Sequence, residues 1–331
     1  ALRCKAAPQR RGHRRGDRMT FPARIDGLAQ AALPARPLHL AIGMFDGVHL
    51  GHRAVIEAAV QSARGGLGLG GVLTFWPHPS AVLRPANPTR LIQDAAGKSR
   101  MLVQLGADVV ITQAFSAELA GVAAAEFLDW LKRSLPHLTA VYVGENFRFG
   151  QGRQGDVALL VQTGRQLGVR VFSAPRVSLN GEPISSTRIR ALLVEGQIEA
   201  ANDQLGYRYH AVGRVTPGKR LGRTLGFPTL NLPWAPDLPP RYGVYAVTVA
   251  TPDGRTARPG VANYGVRPTV ENTVEPRLEA HVWEDCPFDA GDEVRVEWLS
   301  FLRPEMKFAG VEALRAQIEQ DRQAARAFFA R

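Results

Sequence analysis

Residues 41–56 read A-I-G-M-F-D-G-V-H-L-G-H-R-A-V-I and carry the chain from an apolar strand, Leu38–Ile42, into a helix that opens near His49. The intervening turn contains Gly43 and Gly47. His49 and His52 stand three residues apart on the first helical turn and so share one face. Free backbone N–H groups and the positive end of the helix dipole make such a turn a ready anion site. Gly51, between the two histidines, leaves room for a phosphate to approach. A strand that feeds a helix through a phosphate-type turn is the opening unit of an α/β domain.

The chain has 331 residues, enough for two domains or one large one, with ordinary hydrophobic (45%) and charged (21%) fractions. Of its net charge of +11, six units fall in residues 1–18, where seven Lys/Arg face Asp17 alone. The remaining five suit substrates bearing several phosphates as well as they suit nucleic acid. The basic leader lacks an apolar core of the secretory kind, so residues 1–18 are expected to be disordered, a nucleic-acid-binding arm being the alternative. Cys4 and Cys286 give neither a disulfide framework nor a cysteine zinc site. With no apolar run of transmembrane length, a cytoplasmic protein is expected.

From Leu38 to residue 172, β-rich runs at residues 38–42, 72–75, 108–111, 140–143 and 169–172 alternate with helical patterns at 53–63, 95–105, 123–135 and 156–167. This alternation predicts a parallel sheet covered on both faces, with ligands beyond the carboxyl ends of its strands. Gly66-Leu67-Gly68-Leu69-Gly70-Gly71 matches a dinucleotide pattern but precedes a strand, and reads as a flexible loop. Gly97-Lys98-Ser99 resembles a P-loop end without its leading glycine, position 92 being Ile, and Lys98 reads as a surface lysine.

Other strand ends carry chemistry. T-F-W-P-H-P places His78 between two prolines; G-E-N-F-R-F-G sets Asn146 and Arg148 among glycines; I-S-S-T-R-I-R opens a helix running to about Leu205. In the last of these, Ser186 or Thr187 reads as an N-cap, or else the hydroxyls with Arg188 and Arg190 clamp phosphate.

After Leu205 the pattern changes to β-branched or alternating runs at residues 209–215, 244–250, 278–283 and 293–301, which predict a small closed or nearly closed β-structure. Val311–Phe329 carries an apolar stripe and reads as an amphipathic helix packed on it. The segment G-K-R-L-G-R-T-L-G-F-P-T-L-N is either a flexible hairpin or a phosphate-covering loop offering backbone N–H groups from Gly218 onward with Lys219 or Arg223. Thr229 and Asn231, two apart on an extended segment, present oxygens to a hard cation such as Mg²⁺. Glu279 and His281 of R-L-E-A-H-V-W likewise share a face, where a carboxylate can take a proton from an attacking hydroxyl.

Taken together, G-M-F-D-G-V-H-L-G-H, T-F-W-P-H-P, G-E-N-F-R-F-G and I-S-S-T-R-I-R resemble the adenylyltransferase module of bacterial bifunctional riboflavin kinase/FAD synthetases. G-F-P-T-L-N, L-E-A-H, G-V-A-N-Y-G-V-R-P-T and L-R-P-E-M-K-F resemble the kinase module of that family. The resemblance implies a Rossmann-like nucleotidyltransferase domain at 19–205 and a riboflavin-kinase-like antiparallel β-barrel with a terminal helix at 206–331. It implies that riboflavin is phosphorylated to FMN and FMN adenylylated to FAD, with ATP and Mg²⁺, in a monomer or weak homo-oligomer without nucleic-acid or membrane partners. By the same resemblance His49 and His52 act in adenylyl transfer, and Gly43, Phe45, Gly51, Ser186, Thr187 and Arg190 hold ATP phosphates. Asn146 and His78 face the flavin, Gly218, Lys219 and Arg223 cover the kinase nucleotide, Thr229 and Asn231 hold Mg²⁺, and Glu279 is the general base. Two departures stand out: Trp76 occupies a position that is acidic in many members, and Leu230 replaces the usual alanine of the P-T-A-N motif without altering its polar face.

Overall fold

The computed structural model describes residues 20–218, 226–266, 276–283 and 285–330. The basic leader, Lys219 and Arg223 lie outside the described residues.

The first sheet contains β1 (Ala23–Asp26), β2 (Leu38–Ile42), β3 (Leu69–Trp76), β4 (Val109–Ala114), β5 (Leu138–Gly144) and β6 (Arg170–Ala174). All pairs are parallel and the spatial order is β1-β4-β3-β2-β5-β6. The chain builds β3 and β4 on one side of β2 and then crosses to β5 and β6 on the other, so a topological switch point lies between β2 and β5, the kind of crevice where ligands bind in open α/β sheets. The covering helices are α1 (Leu50–Gly65), α2 (Pro79–Leu83), α3 (Ala95–Gln104), α4 (Ala117–Ala120), α5 (Phe127–Ser134) and α6 (Val157–Leu167). One core on one side of the sheet joins Leu40, Ile42, Leu73 and Val141 to α5 and α6; another joins Ala41, Val72 and Val110 to α1 and α3. The expected parallel α/β domain is therefore present, with an additional edge strand, β1, that the alternation did not reveal.

The glycine run differs from its expected loop. Gly70 and Gly71 lie inside β3, and a Cβ at Gly71 would come within 3.0 Å of Leu38 and Leu40 side-chain carbons. A Cβ at Gly70 would meet Val60 of α1 at the same distance, so these glycines permit close helix–strand packing.

A two-stranded hairpin, β7 (Ser178–Leu179) and β8 (Glu182–Pro183), leads to α7 (Ser186–Glu195) and α8 (Ile198–Leu205). The single helix expected here is broken at Gly196, which adopts φ +80° and closes α7 with a left-handed cap. Ile189, Leu193, Ile198 and Leu205 bury their side chains in one cluster with barrel residues Tyr245, Tyr264 and Trp298.

The second sheet is antiparallel, with order β10-β13-β12-β11-β14-β9 for β9 (His210–Arg214), β10 (Leu230–Pro233), β11 (Gly243–Ala250), β12 (Ala257–Val266), β13 (Pro276–Val282) and β14 (Glu293–Pro304). A bridge from Thr216 to Asn231 brings its two edges together, giving the nearly closed barrel. Leu230, Leu232, Leu278, Ala280, Ala262 and Tyr264 fill the interior. The terminal helix α9 (Val311–Phe329) packs outside, through Ala325 and Phe328 against Trp283 and Leu299, and is pinned by a bidentate Arg303–Asp321 pair at 2.7 Å. Among the described residues no helix is long and apolar enough to cross a membrane.

Candidate active sites

The 43–52 turn departs from ordinary backbone: Phe45 (φ +50°), Gly47 (φ +80°) and Val48 (φ +37°) all lie at positive φ. Such strain persists only where surrounding contacts over-determine it. Phe45 is buried, with its ring edge-on to His52 and against Gly43, where a Cβ would stand 3.0 Å from ring carbons.

His49 caps α1, its Nδ1 accepting the His52 backbone N–H at 3.3 Å. That bond places the imidazole proton on Nε2. The two rings stack with centroids 3.6 Å apart. A Cβ at Gly51 would come within 3.2 Å of the His49 ring, so this glycine makes room for the histidine as well as for a ligand.

Asp46, which sequence reading passed over, is the hub of the turn. Its Oδ1 accepts the Ile92 N–H at 3.0 Å, its Oδ2 pairs with Arg190 at 2.7 Å, and its carbonyl accepts the Ser186 hydroxyl at 2.9 Å. Arg190 thus spends part of its guanidinium on Asp46 while its Nε is buried without a hydrogen-bond partner. Burial pushes the Asp46 carboxyl up against the opposing pull of Arg190. Asp46→Ala should cost about 3–5 kcal/mol, because it strands a partly buried guanidinium; the urea-unfolding midpoint of the full chain measures it.

The helix of the hydroxyl motif starts one residue earlier than expected: Ser185, not Ser186 or Thr187, accepts the capping N–H, from Arg188 at 3.2 Å. Ser186 is thereby released to hold Asp46. Arg188 pairs with Glu182 at 2.7 Å on the surface and does not join the phosphate site. A cleft of about 410 Å³ gathers His49, His52, His78, Ser186, Thr187 and Arg190, with Met44 and Asp46. His78 caps α2, its Nδ1 accepting the Ser80 N–H at 3.1 Å, and it also borders a groove of about 710 Å³ lined by Trp76, Tyr207, Trp234 and Asp237. Asn146 is exposed beyond β5 and is not among the residues lining this cleft.

Two further contacts tie the turn to the barrel side. Tyr207 donates to the Gly47 carbonyl at 2.9 Å, and Asp237 accepts the Leu91 N–H at 2.6 Å, next to the Ile92 that holds Asp46.

Lys98 overturns its surface reading: it is 5% exposed, with Nζ donating to the Met44 carbonyl at 3.1 Å and to Thr74 Oγ1 at 3.0 Å. A lone Gly-Lys-Ser on an amphipathic helix does not distinguish these placements.

Burial is the largest cause that holds these histidines neutral, with the charge of Arg190 adding to it: His49 and His78 fall to about 4, and His52 is lowered well below the ordinary 6.5. These groups bind fewer protons folded than unfolded. Their contribution to stability is therefore complete above about 6.5 and is lost as pH falls through about 4. The ligand-free protein should show a lower urea midpoint at pH 5 than at pH 7.5.

On the barrel, antiparallel register sets Glu279 of β13 directly between Asn231 of β10 and Asn263 of β12. Their chain neighbours Leu230, Leu278, Ala280, Ala262 and Tyr264 fill the interior, so the three polar residues share the outer face. His281 lies on that face as expected, with Nδ1–H donating to the Pro228 carbonyl at 2.8 Å and so anchoring the P-T-L-N segment. Leu230 is buried in the barrel core, away from Asn231. A Cβ at Gly218 would fall 2.3 Å from Asn231 Nδ2, so the loop backbone touches that amide. Thr229 and Asn231 offer neutral oxygens, the donor chemistry of a cation shared with phosphate; among the described residues no three His, Cys, Asp or Glu cluster into a metal cage.

A cleft of histidines, hydroxyls and an arginine at the switch point of a parallel sheet, joined to a barrel with a carboxylate set between amides, is an arrangement suited to a two-site, nucleotide-using transferase. Family profiles match both halves, FAD synthetase over residues 33–188 and riboflavin kinase over 205–329. The chain is 37% identical over 309 residues to the bifunctional riboflavin kinase/FMN adenylyltransferase of Escherichia coli (strain K12), covering 92% of this chain and 96% of that one. It is 37% identical over 297 residues to the protein of that name from Listeria monocytogenes, covering 88% and 92%. A crystal structure described as a macrolide-efflux protein from Streptococcus pneumoniae superposes with a TM-score of 0.81 at 28% identity, covering 92% of this chain and 98% of that one. The chain belongs to the bifunctional riboflavin kinase/FMN adenylyltransferase family.

Proposed function

We propose that the chain phosphorylates riboflavin with ATP at the barrel and adenylylates the resulting FMN with a second ATP at the parallel-sheet cleft. The observation that carries the reading is the convergence of His49, His52, Ser186, Thr187 and Arg190 on one cleft, in a chain whose second half belongs to the kinase family.

At the barrel, Glu279 takes the proton from the terminal ribityl hydroxyl as its oxygen attacks the γ-phosphorus of ATP, and ADP leaves. Thr229 and Asn231 would hold Mg²⁺, which would supply charge neutralisation for the transferring group. Gly218, next to Asn231, offers its backbone N–H to the nucleotide phosphates.

At the cleft, an FMN phosphate oxygen attacks the α-phosphorus and pyrophosphate leaves, so no enzyme nucleophile is needed. The neutral His49 and His52, the hydroxyl of Thr187, and the N-termini of α1 and α7 donate to the phosphate oxygens, while the Ser186 hydroxyl holds the Asp46 carbonyl beside them. Arg190 supplies charge through the nitrogens not engaged by Asp46. The positive-φ backbone at Phe45, Gly47 and Val48, with Gly43 and Gly51 making room for the Phe45 and His49 rings, keeps both imidazoles in register. His78 and Asn146 are assigned to the flavin side. With Trp76 at that position, the role that an acid plays there in many members is either dispensable in this step or taken over by another residue.

The functional division falls after Leu205, even though α7 and α8 share the barrel's core. A cytoplasmic setting, with free ATP and riboflavin, fits this chemistry.

Incubation of the full chain with riboflavin, ATP and Mg²⁺, followed by chromatographic separation of the flavins, should show FMN and then FAD. FMN alone would remove the adenylyl step from the assignment, and the absence of both products would sink the reading.

A further inference from the structure

Lys98 is buried beneath the 44–52 turn, and its three contacts are all neutral oxygens. Nζ donates to the Met44 carbonyl at 3.1 Å, to Thr74 Oγ1 at 3.0 Å and to the Phe75 carbonyl at 3.5 Å. The Thr74 hydroxyl donates to the same Met44 carbonyl at 3.0 Å, closing a triangle between the turn and the end of β3. Asp46, the acid whose charge reaches Lys98, is committed to Arg190. Both His52 and His78 feel the ammonium's charge, and Met44 lines the cleft with them.

A buried ammonium whose direct partners are neutral carries a desolvation cost that the Asp46 charge offsets only in part. A neutral side chain would fill the same space at lower cost. What offsets the charge is an anion arriving on the other side of the turn.

We propose that Lys98 is a positioning residue of the adenylyl-transfer site: it fixes the Met44 carbonyl from below and supplies the buried positive charge that a nucleoside triphosphate compensates on entering the cleft. The inference rests on the assignment of that cleft to adenylyl transfer. Burial lowers the ammonium to about 8, so it remains mostly charged at neutral pH. It acts through the turn and through its field.

The test uses the full chain, with riboflavin phosphorylation in the same preparation as a measure of folding. Lys98→Met keeps the aliphatic stem and removes the charge. It should lower kcat/KM for ATP in FAD formation about hundredfold, the scale of losing one preorganised electrostatic group. Part of that loss should fall on KM for ATP, with KM for FMN and FMN formation held within twofold of the parent. Lys98→Arg keeps the charge and should restore kcat/KM to within about tenfold of the parent, a rescue that a purely space-filling role does not predict. Lys98→Met within threefold of the parent would overturn the proposal, as would Lys98→Arg as impaired as Lys98→Met. Where Lys98→Met does not accumulate, Lys98→Arg decides alone: hundredfold loss of FAD formation with intact kinase activity is the contradicting result. A parent protein that makes no FAD from supplied FMN and ATP would instead overturn the adenylyltransferase reading itself.

Discussion

His52→Ala should slow the conversion of FMN to FAD by about hundredfold or more and leave riboflavin phosphorylation at the parent rate. The magnitude is that of removing one preorganised donor from a site of developing charge. Three features place this residue above the others in the cleft. Its ring stacks on His49 at 3.6 Å, so truncation also removes the stacking partner of the second imidazole. Its backbone N–H is held by His49 Nδ1, which ties the ring pair to the first turn of α1. Its own Nδ1 is buried without a hydrogen-bond partner, an arrangement whose cost a bound phosphate group offsets. Discontinuous assay of FAD from supplied FMN, beside FMN from supplied riboflavin, separates the two outcomes. Equal loss of both activities would mean that the cleft and the barrel are not independent sites.

Glu279→Gln should reverse the pattern, abolishing most riboflavin phosphorylation while FMN adenylylation persists. An amide of nearly the same shape cannot accept the hydroxyl proton, and loss of a positioned base is worth about 10²–10⁴-fold. Substitution on this strand leaves the barrel intact, because Leu278 and Ala280, not Glu279, face the interior. Undiminished riboflavin phosphorylation by Glu279→Gln would remove that carboxylate from the mechanism.

Much of this architecture was legible in the residues. Val311–Phe329 was delimited to the residue by its apolar stripe, and β2 by its largely apolar run, interrupted only at His39, before the first turn. The edge strand β1 was not, since four residues, A-R-I-D, carry too little alternation to stand out. Strand β12 escaped for a related reason: Arg258-Pro259-Gly260 opens it with turn-forming residues, so Asn263 was not placed beside Glu279. The catalytic motifs were visible because each is a cluster of unusual residues within a few positions. The groups that brace them were not, because their partners are remote. Asp46 lay inside the opening motif, yet its role depends on Arg190, 144 positions away. Lys98 lies on an amphipathic helix whose burial is decided by how α3 meets the end of β3. A carboxylate in a glycine turn, read against an arginine in the second phosphate motif, was the signal that could have revealed the first pair.

The two-site account is tested most directly by mixing. With riboflavin, ATP and Mg²⁺, the Glu279→Gln chain alone should leave riboflavin nearly unchanged, and the His52→Ala chain alone should stop at FMN. Combined, the two chains should produce FAD, each supplying the step the other lacks. A mixture that still accumulates no FAD, while the parent under the same conditions makes it, would contradict the assignment of the two steps to two separate sites.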